Sequence, residues 1–427
     1  MAMPAEDLQP KTPEAIVLRV VPLVVLAAII VAAARYFDIQ QPFIGYGLGG
    51  IFFFFLTSRP SMLRIALAGA VATAIAAIVI GGRLNGMSVL SAQAAGALGL
   101  ASLLVLSFLV IWNGRGNEPA AFRALLPGAA VAFVIFAALL SFGLLSFSKP
   151  KTLDLYAYVF DGSLGQPTFL LARFLNKNSW LLPFVKFSYQ GTVLALAALY
   201  AGIMLKREKS VWELSGFVVL PAAVACAFFF LFPVCGPRYT FAYDFPKAFL
   251  PYSMLHRLAL ESIPLSTAFP RNGAVSLFLV WSLMLWFNSR GRSRWIQAAS
   301  AAVALVTIFD TLATGEHYFF DLVASMPFAV LMYALVTLSA SIRRRERWLS
   351  AAAGGALFLG LLCIGRFGIP WMLTSRIMAW AIVVGTSTAS IWLTIKVPAS
   401  AAANSLESSP PPNQPPKSMA AAAGRTL

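Results

Sequence analysis

The sequence holds two histidines, His256 and His317, and their scarcity makes them the place to look for chemistry. His317 stands in the run Gly315-Glu316-His317-Tyr318-Phe319-Phe320-Asp321. If this run opens a helix, residues i and i+4 share a face, so the Asp321 carboxylate can accept a hydrogen bond from one ring nitrogen of His317. That fixes the tautomer and leaves the other nitrogen as an unprotonated nucleophile or base. A histidine at a helix end beside a chance carboxylate gives the same spacing. Two arginines lie beside proline and glycine: Arg238 in Phe232-Pro233-Val234-Cys235-Gly236-Pro237-Arg238-Tyr239, and Arg271 in Phe269-Pro270-Arg271-Asn272-Gly273. Guanidinium forks match phosphate oxygens, and glycine lets backbone approach an anion. Arginines reaching from a membrane interface to lipid headgroups would look alike in sequence.

The elements that must position these residues are helices in lipid. Of the chain's 427 residues, 59% are hydrophobic and 11% charged, where soluble chains have roughly 45–50% and about 25%. Apolar runs with almost no charge and long enough to cross a hydrocarbon core recur near 15–35, 42–57, 62–81, 88–112, 124–147, 188–205, 213–234, 273–287, 295–313, 317–340, 349–365 and 372–395. The expectation is therefore an all-α, polytopic transmembrane bundle of about twelve spans. The second run is short and glycine-rich and can instead be re-entrant. The first ends Ala32-Ala33-Ala34, which resembles a signal-peptidase site but is read as a retained helix.

A formal charge of +16 would point to nucleic acid in a soluble protein. Here the basic residues sit in short clusters between apolar runs, which is a topological signature and leaves no nucleic-acid partner expected. The clusters Lys206-Arg207-Glu208-Lys209, Arg290 with Arg292 and Arg294, and Arg343-Arg344-Arg345-Glu346-Arg347 are separated by pairs of spans. All three belong in the cytoplasm by the positive-inside rule, which puts both termini there and His317, Arg238 and Arg271 on the opposite side. Cys226, Cys235 and Cys363 lack metal-ligand spacing and are expected to pack. Carboxylates are few and unclustered, so neither a metal nor a cofactor is expected. Beyond Val397 the chain turns to Ala, Ser, Pro and Asn, the composition of a disordered tail.

The order Phe-Pro-Val-x-Gly-Pro-Arg-Tyr, then Pro-Arg-Asn-Gly, then Thr-Gly-Glu-His-Tyr-x-x-Asp resembles the type 2 phosphatidic acid phosphatase superfamily, within it the branch of inositol phosphorylceramide synthase and its bacterial relatives. Leu153-Asp154-Leu155-Tyr156 and Phe160-Asp161-Gly162-Ser163-Leu164-Gly165 add to the likeness with bacterial members, as an amphipathic segment before the catalytic helices. The resemblance covers about residues 150–340 and implies a membrane enzyme of lipid phosphates. It carries the roles of phosphohistidine nucleophile to His317 and of its orienting carboxylate to Asp321. It implies a phospholipid or polyprenyl phosphate substrate taken from the bilayer, no cofactor, and the cell membrane of a bacterium as location. The expected organisation is 1–147 N-terminal helices of unknown role, 148–340 a lipid-phosphatase or inositolphosphotransferase-like catalytic domain, 341–396 C-terminal helices, and 397–427 the tail.

The chain departs from the family pattern at one decisive place. Where relatives carry Pro-Ser-Leu-His, whose histidine protonates the leaving oxygen, this chain reads Val275-Ser276-Leu277-Phe278. Ser276 keeps its place as a phosphate-binding residue and Phe278 replaces the acid. Thr311 likewise stands where phosphatases have an arginine. Loss of a general acid costs about 10²–10⁴ in rate. Three readings follow: a transferase whose leaving group needs no proton, an enzyme in which His256 serves as surrogate acid, or a degenerate relative that binds a phospholipid headgroup without turnover. A multi-pass transporter remains the rival class, with Asp310 its one mid-membrane candidate. A glycosyltransferase would need Asp154 and Asp161, which are expected instead to face water at the interface.

Overall fold

In this computed structural model the described residues are 148–185 and 211–396, with Leu145 and Ser188, apart from 243, 267, 268, 270, 272 and 340–343. The first four expected spans, nearly all of the fifth and sixth, and the tail lie outside them. Helices dominate: α1 (Asp154–Ser163), α2 (Pro167–Lys177), α3 (Val211–Leu231), α4 (Pro237–Thr240), α5 (Tyr252–Leu255), α6 (Leu277–Ser289), α7 (Arg294–Ala313), α8 (Phe319–Val336), α9 (Arg344–Phe367), α10 (Ile369–Thr374) and α11 (Arg376–Lys396). The all-α expectation needs one amendment. Lys151–Thr152 (β1) and Ile263–Pro264 (β2) pair antiparallel, with Lys151 opposite Pro264 and Thr152 opposite Ile263. The ribbon stays this short because Pro264 has no N–H with which to extend the ladder.

Among the described residues four helices, α7, α8, α9 and α11, are long and apolar enough to cross a membrane, and the stretch Gly216–Leu231 of α3 and helix α6 are shorter apolar segments. They mark an integral membrane protein. Exposed tryptophans near the helix ends, Trp295 and Trp392 at one end and Trp371 at the other, suit the interfacial belts in which an amphipathic ring is most stable.

The core is built around α8, whose buried side includes Phe320, Val323, Phe328, Met332 and Tyr333. Along it, α6 runs parallel: Ser276 meets Ser325 near one end and the Phe287 ring lies 5.4 Å from Tyr333 near the other. Helix α9 runs antiparallel, with Gly354 against Pro327 and Leu331, Phe358 against Phe328, and Gly365 against Phe320. Small residues let these backbones close in, as lipid-embedded helices require. At one end of the bundle Arg347, buried, donates to the Thr337 carbonyl just past α8, and Arg290 donates to the Thr394 carbonyl of α11. Guanidinium groups there satisfy carbonyls that the helix ends leave open and complement the negative pole of the helix dipole. The other end gathers the turn 314–318, the loop 232–251 and the start of α6.

Candidate functional site

Helix α8 begins at Tyr318 because two carboxylates satisfy its first amides. Asp321 Oδ2 accepts from the Tyr318 N–H at 3.0 Å. The Phe319 N–H donates to Asp161 Oδ2 at 3.1 Å and the Phe320 N–H to Asp161 Oδ1 at 3.2 Å. Thr168 Oγ1 donates to Asp161 Oδ2 and accepts from Phe319 at 3.1 Å. Donors left open by a helix start are thus filled by anions that the dipole favours. The same Asp321 oxygen lies 3.2 Å from His317 Nδ1. Asp321 is buried and His317 nearly so. With a carboxylate on Nδ1, that nitrogen carries the proton and Nε2 is the basic one.

Arg238 is brought to this pair by the loop before α4. Its N–H donates to the Gly315 carbonyl at 3.1 Å, and its guanidinium Nη1 bonds Glu316 Oε1 at 3.1 Å, one residue from His317. Tyr239 Oη donates to the other Glu316 oxygen at 3.1 Å, and burial followed by the Glu316 charge holds that phenol far above its ordinary range. Gly236 makes the approach possible. It has φ +99°, and a Cβ there would stand 2.3 Å from the Glu316 carbonyl oxygen, so no larger residue fits.

Ser276 reaches the site from α6. It is fully buried, its N–H donates to Ser325 Oγ at 2.8 Å, and Ser325 Oγ donates to the Asp321 carbonyl at 2.7 Å. Its own Oγ has no hydrogen-bond partner among the described residues, an arrangement that normally costs stability. Phe278, one half-turn on, packs edge-on to Trp281 with ring centroids 6.3 Å apart. Ser325 had no sequence signal as a site residue, since a Ser inside an apolar run has no pattern of its own; Tyr239 and Glu316 stood in the motifs beside Arg238 and His317 with no role of their own.

Arg271 is placed otherwise than a phosphate ligand would be. Wholly buried, it donates through Nε to the Lys149 carbonyl at 3.1 Å, through Nη1 to Phe269 at 2.9 Å and Ser266 at 3.2 Å, and through Nη2 to Leu265 at 3.0 Å. Nη1 also lies 3.1 Å from Cys235 Sγ. The guanidinium clasps the β-ribbon to the loop ahead of Arg238, so its fork is occupied by carbonyls. Burial, then the nearby Asp154 charge, push the Cys235 thiol up to about 12 despite Arg271, and a thiol in that state is inert.

His256 caps α5 on an exposed turn, its ring edge-on to Tyr252 at 5.7 Å. Tyr252 in turn bonds the Leu373 carbonyl and lies under Arg376. The structure therefore sets His256 against the α10–α11 junction, with no hydrogen bond to the dyad among the described residues. Asp310 is buried near the end of α7 and accepts from Ser188 Oγ at 2.6 Å.

Asp154 and Asp161 correct the sequence reading. Neither faces water; both are fully buried. Asp154 accepts from the Cys235 N–H at 3.0 Å, the Gly236 N–H at 3.0 Å and Thr240 Oγ1 at 2.7 Å. Burial raises the Asp154 carboxyl above its ordinary range against the pull of these donors. Burial likewise raises Asp161 to about 7, with Thr168, Phe319 and Phe320 opposing. The composition of α1 suggested a surface helix, but its acids are consumed by backbone amides of other elements, which periodicity along one segment cannot reveal. Among the described residues no three His, Cys, Asp or Glu side chains group as a metal site would need.

No curated protein and no solved structure matches the chain. Residues 158–335, from within α1 to the end of α8 and including Asp161, Arg238, Ser276, His317 and Asp321, match the family model of the PAP2 superfamily.

Proposed function

We propose that the chain is a membrane-embedded phosphatase or phosphotransferase of lipid phosphates that works through a phosphohistidine on His317. One observation carries this reading: Asp321 engages His317 Nδ1 at 3.2 Å while the turn that holds the histidine also holds Arg238. His317 Nε2 attacks phosphorus, an N–P bond forms, and the P–O bond to the leaving group breaks. Asp321 stabilises the cationic ring that results. Arg238 offsets charge on the equatorial oxygens, and Ser276 Oγ, at the positive end of α6, offers a further donor. Water or an alcohol then breaks the N–P bond and gives up its proton to solvent.

Phe278 shapes the choice of substrate. With no acid at that position, a leaving group that departs without protonation fits best, such as the polyprenyl monophosphate that leaves when the terminal phosphorus of a polyprenyl diphosphate is attacked. The motif order through Arg238, Arg271 and His317 supports an inositolphosphotransferase-like reaction, the transfer of a phospholipid's phosphorylated headgroup to an alcohol. The positive clusters at the opposite end of the bundle support a site on the non-cytoplasmic side, with both termini inside. Phe278 also favours a second reading, a relative that binds a phospholipid headgroup without turnover; His256 makes no hydrogen bond to His317 or Asp321 among the described residues, so nothing in its contacts supports it as the surrogate acid.

Phosphate release from phosphatidic acid and polyprenyl diphosphate, and headgroup transfer from phosphatidylinositol, should be measured with purified protein in nanodiscs. His317→Ala should abolish turnover by at least about 10³. Release that survives this substitution removes the histidine mechanism. A gain of activity in Phe278→His, with none in the parent, establishes the binding-only reading.

A further inference from the structure

Two carboxylates outside the reacting pair tie its two halves together through α1. Asp154 and Asp161 are seven residues apart, two helical turns, and so lie on one face of that helix. Each is fully buried, although the chain has only 16 acidic residues and a buried charge is costly unless fully hydrogen-bonded. Asp154 grips the amides of Cys235 and Gly236, the step that turns the chain toward Arg238. Asp161 grips the amides of Phe319 and Phe320, the first turn of the helix that follows His317. The Leu153 N–H adds a bond to the Pro233 carbonyl at 2.7 Å, and the Arg238 N–H closes the ring onto Gly315. The circuit runs from α1 to the Arg238 loop, across to the histidine turn, into α8 and back to α1.

We infer that Asp154 and Asp161 are positioning residues, and that α1 is a splint setting the distance between the Arg238 guanidinium and His317. A carboxylate suits the task better than an amide. Each acid uses both oxygens as acceptors for N–H donors, whereas an asparagine would turn an NH₂ group toward one of those donors. Simple capping of one helix would need only Ser, Thr or Asn. The functional part of the inference rests on the phosphotransfer reading of His317; the mechanical part does not.

The experiment has two arms. Hydrogen–deuterium exchange of the intact protein in nanodiscs should show strong protection in peptides covering 233–240 and 317–322. Asp154→Asn should release the first segment alone and Asp161→Asn the second alone. Exchange at free-loop rates in the parent protein overturns the splint whatever the variants do. So does release spread evenly over the whole bundle in both variants. In the kinetic arm, with a polyprenyl diphosphate as substrate, Asp154→Asn should raise KM about tenfold with kcat within about threefold, as loss of a charge-assisted hydrogen bond behind the phosphate grip predicts. Asp161→Asn should lower kcat about tenfold with KM nearly unchanged, because the nucleophile is misaligned. Equal losses of kcat in both variants with KM constant would mean a folding role only and would overturn the positioning role. A parent protein without turnover removes the phosphotransfer reading, and the exchange arm then decides the splint by itself.

Discussion

Glu316 sets the charge that Arg238 presents. The pair is partly exposed, so its own stabilising value is about 0–1 kcal/mol. Its effect on an incoming anion is the larger matter, since the carboxylate competes for the same donors. Glu316→Gln should therefore tighten inhibition by inorganic phosphate about fivefold, with little change in melting temperature. Unchanged inhibition would mean that Arg238 does not meet the anion. Asp161 supplies a pH signature at the same scale. Burial raises it from 3.8 to about 7, so the folded state holds the proton more tightly than the unfolded chain. Its stabilising contribution is complete below pH about 4 and is lost as pH rises to about 7. The melting temperature of the parent protein minus that of Asp161→Asn should shrink across this interval. A difference that grows with pH would show that the amides of α8 hold Asp161 ionised throughout.

Among elements, the α8–α9 contact decides how rigidly the reacting helix is held. A Cβ on Gly354 would stand 3.0 Å from both the Leu331 amide nitrogen and the Pro327 carbonyl oxygen. Backbone cannot move aside as a flexible side chain can, so Gly354→Val should force α9 away and destabilise the protein by about 1–3 kcal/mol. A melting temperature equal to the parent's would contradict this packing. Helix α6 adds a different constraint. It approaches α8 through the Ser276 amide and Ser325 hydroxyl, and Phe278, one half-turn on, packs against Trp281.

For the molecule as a whole, the polarity of the bundle is the testable quantity. The site end and the arginine-rich end lie at opposite poles, and charge bias orients such bundles with arginine inward. In a Cys363→Ser background, a membrane-impermeant maleimide should label Lys247→Cys in intact cells, and should label Arg294→Cys only after permeabilisation. The reverse pattern would turn the site toward the cytoplasm.

The sequence by itself determined the solvent, the helical class of the second half, and the dyad. Apolar runs report on lipid directly, and His317 and Asp321 lie within one helical turn, so local spacing was enough to pair them. Span ends were also legible: 295–313 was expected and α7 occupies Arg294–Ala313, because charged residues bracket the run. Tertiary structure alone decided the rest. Arg238 and Arg271 share a sequence appearance, yet one meets the histidine turn while the other is spent on carbonyls of its own loop, at Leu265, Ser266 and Phe269, and of Lys149 far upstream. Asp154 and Asp161 looked like wet surface acids and are instead wholly buried. For Arg271, Asp154 and Asp161 the deciding partners include backbone amides or carbonyls. Every residue type carries those groups, so no pattern of side chains along the chain can announce which of them will meet.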